Sequence, residues 1–183
     1  MKKTVCTALI VLFLLGISSV ASAGKFSFGA FAGVNIPIAQ TDAKSGALFG
    51  AKGRITLLPF LGLEPNFTSA KHGGKDIEVR ETSFSRKGGN ITSIGLDVIL
   101  GTLSSMSKMR IYGLLGINSN TYSGEGISDE SGLGLALGTG LEFFATKILS
   151  VEARAKYHPI KLGDGGRVHV EVSGGLNYHF GGK

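Results

Sequence analysis

The histidines are the first residues of this chain whose chemistry has to be placed. Four are present, namely His72, His158, His169 and His179. Hydrolysis of the serine type needs a histidine base beside a serine, with a carboxylate that orients the imidazole. His158 has no serine within two residues. His169 has Glu171 two positions later on the same strand face, but Ser173 lies nearer the other end of that strand.

The spacing of these residues indicates polar side chains of a protein interior rather than a catalytic group. We also find no metal-ligand spacing, and the glycines do not follow a phosphate-binding pattern. The basic residues are either matched by acids in strands or scattered in loops, which argues against nucleic-acid binding. We therefore predict no catalytic residue, no metal site and no cofactor.

The segment 132–158 shows most clearly which elements hold these side chains. Odd positions from Leu133 to Phe143 are mainly leucine, whereas the even positions between them are glycine, alanine and glutamate. Side chains alternate faces along a strand, so the pattern predicts a hairpin with one apolar and one polar face. A turn at 145–147 predicts a register with three cross-strand pairs, which are Gly140 with Glu152, Gly138 with Arg154, and Ala136 with Lys156.

The same alternation predicts eight strands. They are 26–36, 47–57, 61–68, 90–100 and 109–118, the two strands of the 132–158 hairpin, and 167–180. The connections alternate in length, with long ones at 37–46, 69–89 and 119–131, a modest one at 159–166, and shorter ones at 58–60, 101–108 and 145–147. Short turns at one end and longer loops at the other are typical of outer-membrane barrels. We predict an all-β protein, an eight-stranded antiparallel up-and-down transmembrane β-barrel.

The polar face of the strands is predicted to line the barrel interior. It is rich in glycine and alanine, and its charges balance, because five cations face five anions. These ten residues form a predicted structural charge network: Lys52, Arg54, Glu64, Asp97, Arg110, Glu142, Glu152, Arg154, Lys156 and Glu171. The apolar face is almost free of charge and ends in Tyr178 and Phe180, a position suited to a membrane interface. The alternative is a soluble sheet whose polar face is in water.

The N-terminus has the features of a secretory signal peptide. Lys2 and Lys3 precede the short apolar run 8–17, and 21–23 (Ala-Ser-Ala) forms a small-residue cleavage site. The apolar run is too short to span a membrane as a helix. We therefore predict that residues 1–23 are cleaved.

The remaining residues, 24–183, are predicted to form one exported barrel domain. Without Lys2 and Lys3, the 19 basic residues fall to 17 against 13 acidic ones, which gives a net charge of +4. Cys6, the one cysteine of the chain, lies in the predicted leader. The exported domain is thus expected to use neither disulfides nor thiol chemistry.

Several segments resemble the small outer-membrane β-barrel family, the OmpA-like and OmpX-like porin-family barrel domains. They are LGLEPNF (61–67), RIYGLLGIN (110–118), GTGLEFFATKILSVEARAKY (138–157) and SGGLNYHF (173–180). The resemblance covers the mature chain and implies an eight-stranded barrel with a C-terminal aromatic signal, Tyr178 and Phe180, that is read by the barrel-assembly machinery. Two features depart from it. Phe180 is followed by 181–183, and Pro65 lies within a strand, where we expect a bulge or an earlier strand start.

The expected function is a structural or surface-interaction role in the outer membrane of a Gram-negative bacterium, in envelope integrity or adhesion. The 69–89 loop carries Lys71, Lys75, Arg80, Arg86 and Lys87, which could meet lipopolysaccharide phosphates. Its alternating stretch 77–84 could bind an extracellular protein by strand addition. A small passive pore and a lipid A-modifying enzyme are the alternatives. The barrel is expected to be a monomer that contacts outer-membrane lipid.

Overall fold

The chain folds into ten β-strands in a computed structural model that describes residues 25–38, 44–71, 75–79, 82–86, 89–103, 108–124, 127–162 and 165–180. The strands are β1 (Lys25–Pro37), β2 (Gly46–Leu58), β3 (Leu61–Lys71), β4 (Lys75–Val79), β5 (Thr82–Arg86), β6 (Gly89–Gly101), β7 (Met109–Gly124), β8 (Ile127–Phe144), β9 (Leu149–Leu162) and β10 (Gly165–Phe180). The predicted signal peptide, His72 and the tail 181–183 lie outside the described residues. No helix within these residues is long and apolar enough to cross a membrane.

Eight of the strands form a closed barrel in the order β1-β10-β9-β8-β7-β6-β3-β2. Each neighbouring pair is antiparallel, and β1 closes the barrel against β10 from the pair Phe26–Phe180 to the pair Pro37–His169. The predicted eight-stranded barrel is confirmed. The other two strands, β4 and β5, form a separate hairpin inside the predicted 69–89 loop.

The polar face of the strands is inside, and the apolar face is outside. Lys52 and Glu64 are 3% and 0% exposed, whereas Leu133 is 75% exposed. In a water-soluble protein these values would be reversed, because burying apolar surface is the main favourable contribution to folding. The alternation is therefore that of a protein whose outer surface is not in contact with water.

The register of the β8–β9 hairpin differs from the predicted one by two residues. Gly140 pairs with Arg154 and Gly138 with Lys156, and Phe144 pairs with Ser150. The cause is a longer connection, because five residues, 145–149, lie between the paired residues Phe144 and Ser150 in place of the predicted three. Thr146 Oγ1 accepts hydrogen bonds from the backbone amides of Ile148 and Leu149 at 3.3 and 3.0 Å, which stabilises the longer turn. A two-residue shift keeps every side chain on its predicted face.

The prediction of a bulge at Pro65 is wrong, and so is the alternative prediction that the strand starts earlier. β3 begins at Leu61, and Pro65 pairs in regular register with Leu96 of β6. The irregularity of the β2–β3 ladder falls instead between Thr56 and Leu58, beside the short turn. Pro65 can be accommodated because it removes only one donor, and the regular ladder with β6 keeps the strand in place on its other side.

The prediction of a loop at 119–131 is also wrong, since β7 continues to Gly124 and β8 already begins at Ile127. β8 has 18 residues and β7 has 16, compared with the roughly 9–11 residues that a transmembrane strand needs. At this end of the barrel β6 follows β7 up to the pair Gly89–Gly124, whereas the described pairs of β8 with β9 end at Gly134–Ile160. The sequence predicts a loop here because polar residues, Ser119 and Thr121, take the outward positions of β7 at which the alternation would place apolar side chains.

Candidate functional site

The interior charges meet at the guanidinium of Arg54 on β2. Its Nη1 donates to Glu142 Oε2 at 3.0 Å, and its Nη2 donates to Glu152 Oε1 at 2.8 Å. Its Nε donates to Glu64 Oε2 at 2.7 Å. All four side chains are buried. Buried charges are tolerated when they are paired and hydrogen-bonded, so Arg54 joins β2 to β3, β8 and β9 across the barrel.

A second set of contacts closes around the same acids. Arg154 Nη1 lies 2.6 Å from Glu64 Oε1, and its Nη2 lies 3.1 Å from Glu152 Oε1. Lys52 forms an ion pair with Glu152. The Tyr112 hydroxyl donates to Glu152 and accepts from Arg154 Nη2 at 3.2 Å. Tyr112 was missed by the sequence reasoning, although its position on the interior face of β7 is the signal that points to it.

Two further charge pairs lie on either side of this centre. Lys156 Nζ donates to Asp97 Oδ2 at 2.9 Å. Toward the short turns, Arg110 Nη1 lies 3.5 Å from Glu142 Oε2, and its Cζ lies 4.4 Å from the centre of the Phe144 ring. The ion pairs therefore run along the interior on several levels, and the Lys156–Asp97 pair bridges two strands, β9 and β6, that are not neighbours in the sheet.

Each of the ten predicted network residues is buried and faces the interior, with exposed fractions of 5% or less. Nine of them form the contacts described above. The tenth, Glu171, lies with two histidines instead. Tyr178 and Phe180 lie on the outer surface, with 42% and 48% of their area exposed. The centres of their two rings are 4.7 Å apart. Their proposed role in assembly stays a prediction.

His158 and His169 lie directly opposite each other in the β9–β10 ladder. Their rings are stacked 5.1 Å apart with an angle of 4° between the planes. His158 Nε2 is 3.4 Å from Glu171 Oε2, and His169 Nε2 is 3.4 Å from Glu171 Oε1. The sequence predicts that His169 and Glu171 share a strand face, but it does not predict the contact with His158, because that contact depends on the register between two strands.

A serine, a histidine and a glutamate also meet at the short-turn end of the interior. Ser150 Oγ lies 2.8 Å from His179 Nε2, and Glu142 Oε1 lies 3.1 Å from the same nitrogen. In a catalytic triad the serine and the carboxylate contact different nitrogens of the imidazole. Here both use Nε2, Ser150 also hydrogen-bonds to Glu142, and Ser150 is 0% exposed. This arrangement is a hydrogen-bond network and not a nucleophile activated by a base.

An outward-facing apolar groove lies where the β8–β9 ladder is interrupted. The described pairs pass from Leu137–Tyr157 to Gly134–Ile160, with Pro159 between them on β9. The groove has a volume of about 610 Å³, and its lining includes Ile117, Leu133, Leu135, Val168, Lys161 and Arg167. Lys161 is exposed at the end of the groove nearest the connection between β9 and β10. The groove is thus an apolar surface with one outward cation, Lys161, close to the end of the barrel that carries the longer strands.

A closed antiparallel barrel with an apolar outer surface and a filled, charged interior is a transmembrane β-barrel, since closure satisfies every strand edge within the membrane. The sequence model of the outer membrane protein beta-barrel domain family matches residues 7–180. The chain belongs to this family, and it is an outer-membrane β-barrel protein. A search of curated proteins found no match.

Solved structures share the fold at low sequence identity. Neisserial surface protein A is 18% identical with a TM-score of 0.62, and the match covers 85% of this chain and 97% of that one. The N-terminal barrel of Pseudomonas aeruginosa OprF is 17% identical, with a TM-score of 0.57 and coverage of 86% and 99%. Ail, the attachment invasion locus protein of Yersinia pestis, is 21% identical, with a TM-score of 0.53 and the same coverage.

Proposed function

We propose that this protein has a structural and surface-interaction role, without catalysis, in the outer membrane of a Gram-negative bacterium. The observation that carries the proposal is the β4–β5 hairpin, a two-stranded ribbon outside the barrel sheet. The barrel supplies a rigid, membrane-held base, because its interior is bound together by ion pairs across strands. In such barrels the longer connections face the outside of the cell, and the hairpin belongs to one of them.

The hairpin offers backbone groups at its edges for a protein partner. Its pairs run from Lys75–Arg86 to Val79–Thr82, and no other strand of the described chain pairs with it. An extended segment of a partner can add to such an edge, with main-chain hydrogen bonds giving the affinity. One fold relative, Ail, carries attachment and invasion in its name, which supports adhesion as the form that the interaction takes.

Replacement of residues 77–84 by a glycine-serine segment of equal length tests this proposal. Cells that display the variant should lose adherence to host cells or matrix protein, while the amount of folded barrel in the outer membrane stays unchanged. The matched control is the same treatment of the two-residue connection at 125–126, which should leave adherence intact. Equal adherence of wild type and the 77–84 variant would overturn the proposal.

We also propose that the barrel contacts lipopolysaccharide through the outward groove between β8 and β9. Its apolar lining suits an acyl chain, and Lys161 lies where a lipid phosphate could accept a charge-assisted hydrogen bond. Lys161→Glu should weaken co-purification of lipopolysaccharide with the barrel, whereas Lys147→Glu, which also changes an exposed lysine but at the short-turn end of the barrel, should weaken it less. Equal lipid retention in both variants would remove this contact from the proposal.

A passive pore and a lipid A-modifying enzyme are less well supported. The interior positions of β2, β3, β8 and β9 are filled by the Arg54 and Arg154 ion pairs. Eight strands enclose a space that side chains just fill. The histidine–serine contact at Ser150 lacks the geometry of a nucleophile and base.

A further inference from the structure

His158, His169 and Glu171 form a compact set of metal-ligating groups inside the barrel. One ligand atom from each lies within 4.8 Å of the others. Each of the two described histidine–carboxylate separations is 3.4 Å, from His158 Nε2 to Glu171 Oε2 and from His169 Nε2 to Glu171 Oε1. Ligands about 2.0–2.2 Å from a tetrahedral Zn²⁺ are themselves about 3.4 Å apart. The spacing is long for a hydrogen bond and suits two ligands of one ion.

We propose that these three residues bind a divalent transition-metal ion of the Zn²⁺ class, with a fourth position left for water. Two imidazole nitrogens and one carboxylate are a donor set typical of Zn²⁺, whereas Mg²⁺ and Ca²⁺ prefer oxygen donors. The site goes beyond the proposed surface role and does not depend on it.

The charges around Glu171 favour a cation at this place. In the described part of the chain, Glu171 has ion pairs with the two histidines, and none with a lysine or arginine. Lys156 is its cross-strand neighbour, but the Lys156 ammonium is hydrogen-bonded to Asp97. All three ligand residues are at least 97% buried. A buried carboxylate needs a charged partner, and a metal ion supplies it without protonation of a buried imidazole.

The residues behind His158 can orient it for a metal. Asn118 Nδ2 lies 3.1 Å from His158 Nδ1, and Asn120 Nδ2 donates to Asn118 Oδ1. Ser93 Oγ donates to Asn120 Oδ1. If the side-chain amides of Asn118 and Asn120 are both rotated by 180°, the direction of every hydrogen bond in this series reverses, because the Ser93 hydroxyl can accept as well as donate. Asn118 Oδ1 then accepts from His158 Nδ1–H, and the Nε2 lone pair is left for the metal, as is usual for ligating histidines.

An apolar cluster separates the three residues from the longer-strand end of the barrel. Ile91, Tyr122 and Ile160 pack together one interior position above the histidines, and Arg167 stacks over the Tyr122 ring with its Cζ at 4.1 Å. The cluster keeps the ligands away from bulk water, which strengthens charge interactions at the site. A metal ion entering from outside the cell would have to displace it, so binding is expected to be slow.

The test uses the full-length mature barrel, extracted from membranes in mild detergent and stripped of metal with a chelator. Titration with Zn²⁺, followed by dialysis and elemental analysis, should give one tightly held ion per chain. Co²⁺ in place of Zn²⁺ should give the visible absorption of a four-coordinate site with nitrogen ligands. Mg²⁺ should not compete. Folded wild-type protein that holds no more Zn²⁺ after dialysis than detergent alone would overturn the proposal.

Variants connect the ion to these residues. Glu171→Gln and His158→Gln should each weaken Zn²⁺ binding by more than about 100-fold, because loss of a ligand exceeds the 10–100-fold typical of an outer-shell change. Asn118→Ala should weaken it by roughly 10–100-fold. The matched control is His179→Gln, which changes the buried histidine at the other end of the interior and should bind Zn²⁺ like wild type.

Folding is checked for every variant by heat-modifiable gel mobility, and only folded protein is titrated. Zn²⁺ should also raise the unfolding temperature of wild type and of the His179→Gln variant, because a ligand that binds only the native state stabilises it. The Glu171→Gln variant should show no such shift. An equal shift in the Glu171→Gln and His179→Gln proteins would place the ion elsewhere and overturn the assignment.

Discussion

Glu142 and Glu152 lie directly opposite each other in the β8–β9 ladder, both buried in the barrel, and Arg54 of β2 contacts both carboxylates. Two like charges in opposing positions destabilise a sheet. The guanidinium removes that repulsion and ties the hairpin to the opposite wall of the barrel. The interior ion pairs are therefore required for this register, because without them the two opposing carboxylates would repel each other.

Replacement of Arg54 by methionine should strongly destabilise the barrel. The variant leaves Glu142 and Glu152 face to face without their shared cation, and loss of one partner of a buried pair costs about 3–5 kcal/mol. The measurement is urea unfolding in detergent micelles, followed by gel mobility. The control is Lys71→Met, which removes an exposed charge at the end of β3 and should change the free energy of unfolding by less than about 0.5 kcal/mol. Equal midpoints for the two variants would contradict a stabilising role of Arg54.

Gly140 should not tolerate alanine, whereas Gly113 should. A Cβ at Gly140 would meet the hydroxyl end of the Tyr112 ring, and that hydroxyl is held by Glu152 and Arg154. A Cβ at Gly113 would meet only carbonyl oxygens, at 3.8 and 3.9 Å. Overpacking of a filled interior costs about 1–3 kcal/mol. The measurement is the urea midpoint of each alanine variant, which compares an inward glycine with an outward glycine at neighbouring sites. Equal midpoints would contradict the tight packing around Tyr112.

The barrel itself could be predicted from the alternation of side chains, because a period of two assigns each residue to a face. Every one of the ten network residues lies on the predicted face for this reason. The same period cannot distinguish two registers that differ by two residues. The predicted β8–β9 register is therefore wrong, because the actual register depends on the hydrogen bonds that Thr146 makes within the turn.

The contacts within the interior could not be predicted in the same way. Lys156 and Asp97 are 59 positions apart in the chain, and the stacking of His158 on His169 requires the β9–β10 register. The contact of His179 with Ser150 was missed for the same reason. The composition of the interior shows that its charges can balance, whereas the identity of each pair depends on barrel closure, which brings distant strands together.

The aromatic residues at the end of β10 should matter for assembly more than for stability. Phe180 is 48% exposed and Phe143, on the outer face of β8, is 54% exposed. Alanine at either position removes a similar outward ring, so the two variants should unfold alike. Only Phe180→Ala should reduce the amount of folded barrel in the outer membrane, if the assembly machinery reads this residue. Truncation of the chain directly after Phe180, which makes this residue terminal, should not reduce the amount of folded barrel. The measurement is heat-modifiable protein in membrane fractions, and equal loss for Phe143→Ala would argue against a signal at Phe180.

Expression of the protein should leave the mass of lipid A unchanged. Ser150 and Glu142 share a single nitrogen of His179, so no base is placed to activate the serine while a carboxylate orients it. Mass spectrometry of lipid A from cells with and without the protein checks this prediction. A mass change that disappears in Ser150→Ala or His169→Ala, with the folded barrel still present, would show catalysis and overturn the structural role.

The barrel should show little or no conductance in planar bilayers. Arg54 and Arg154 extend from β2 and β9 across the interior to shared carboxylates, so the path along the barrel axis is occupied by paired charges. Removing the paired groups from this low-dielectric space to open a path would cost several kcal/mol, and openings should be rare and brief. Single-channel recording measures this, with a large porin as the positive control. The variant with 77–84 replaced should behave like wild type, because the obstruction lies within the barrel and not in the loop. Large, stable openings in the wild-type protein would show that the network rearranges, and would favour a pore.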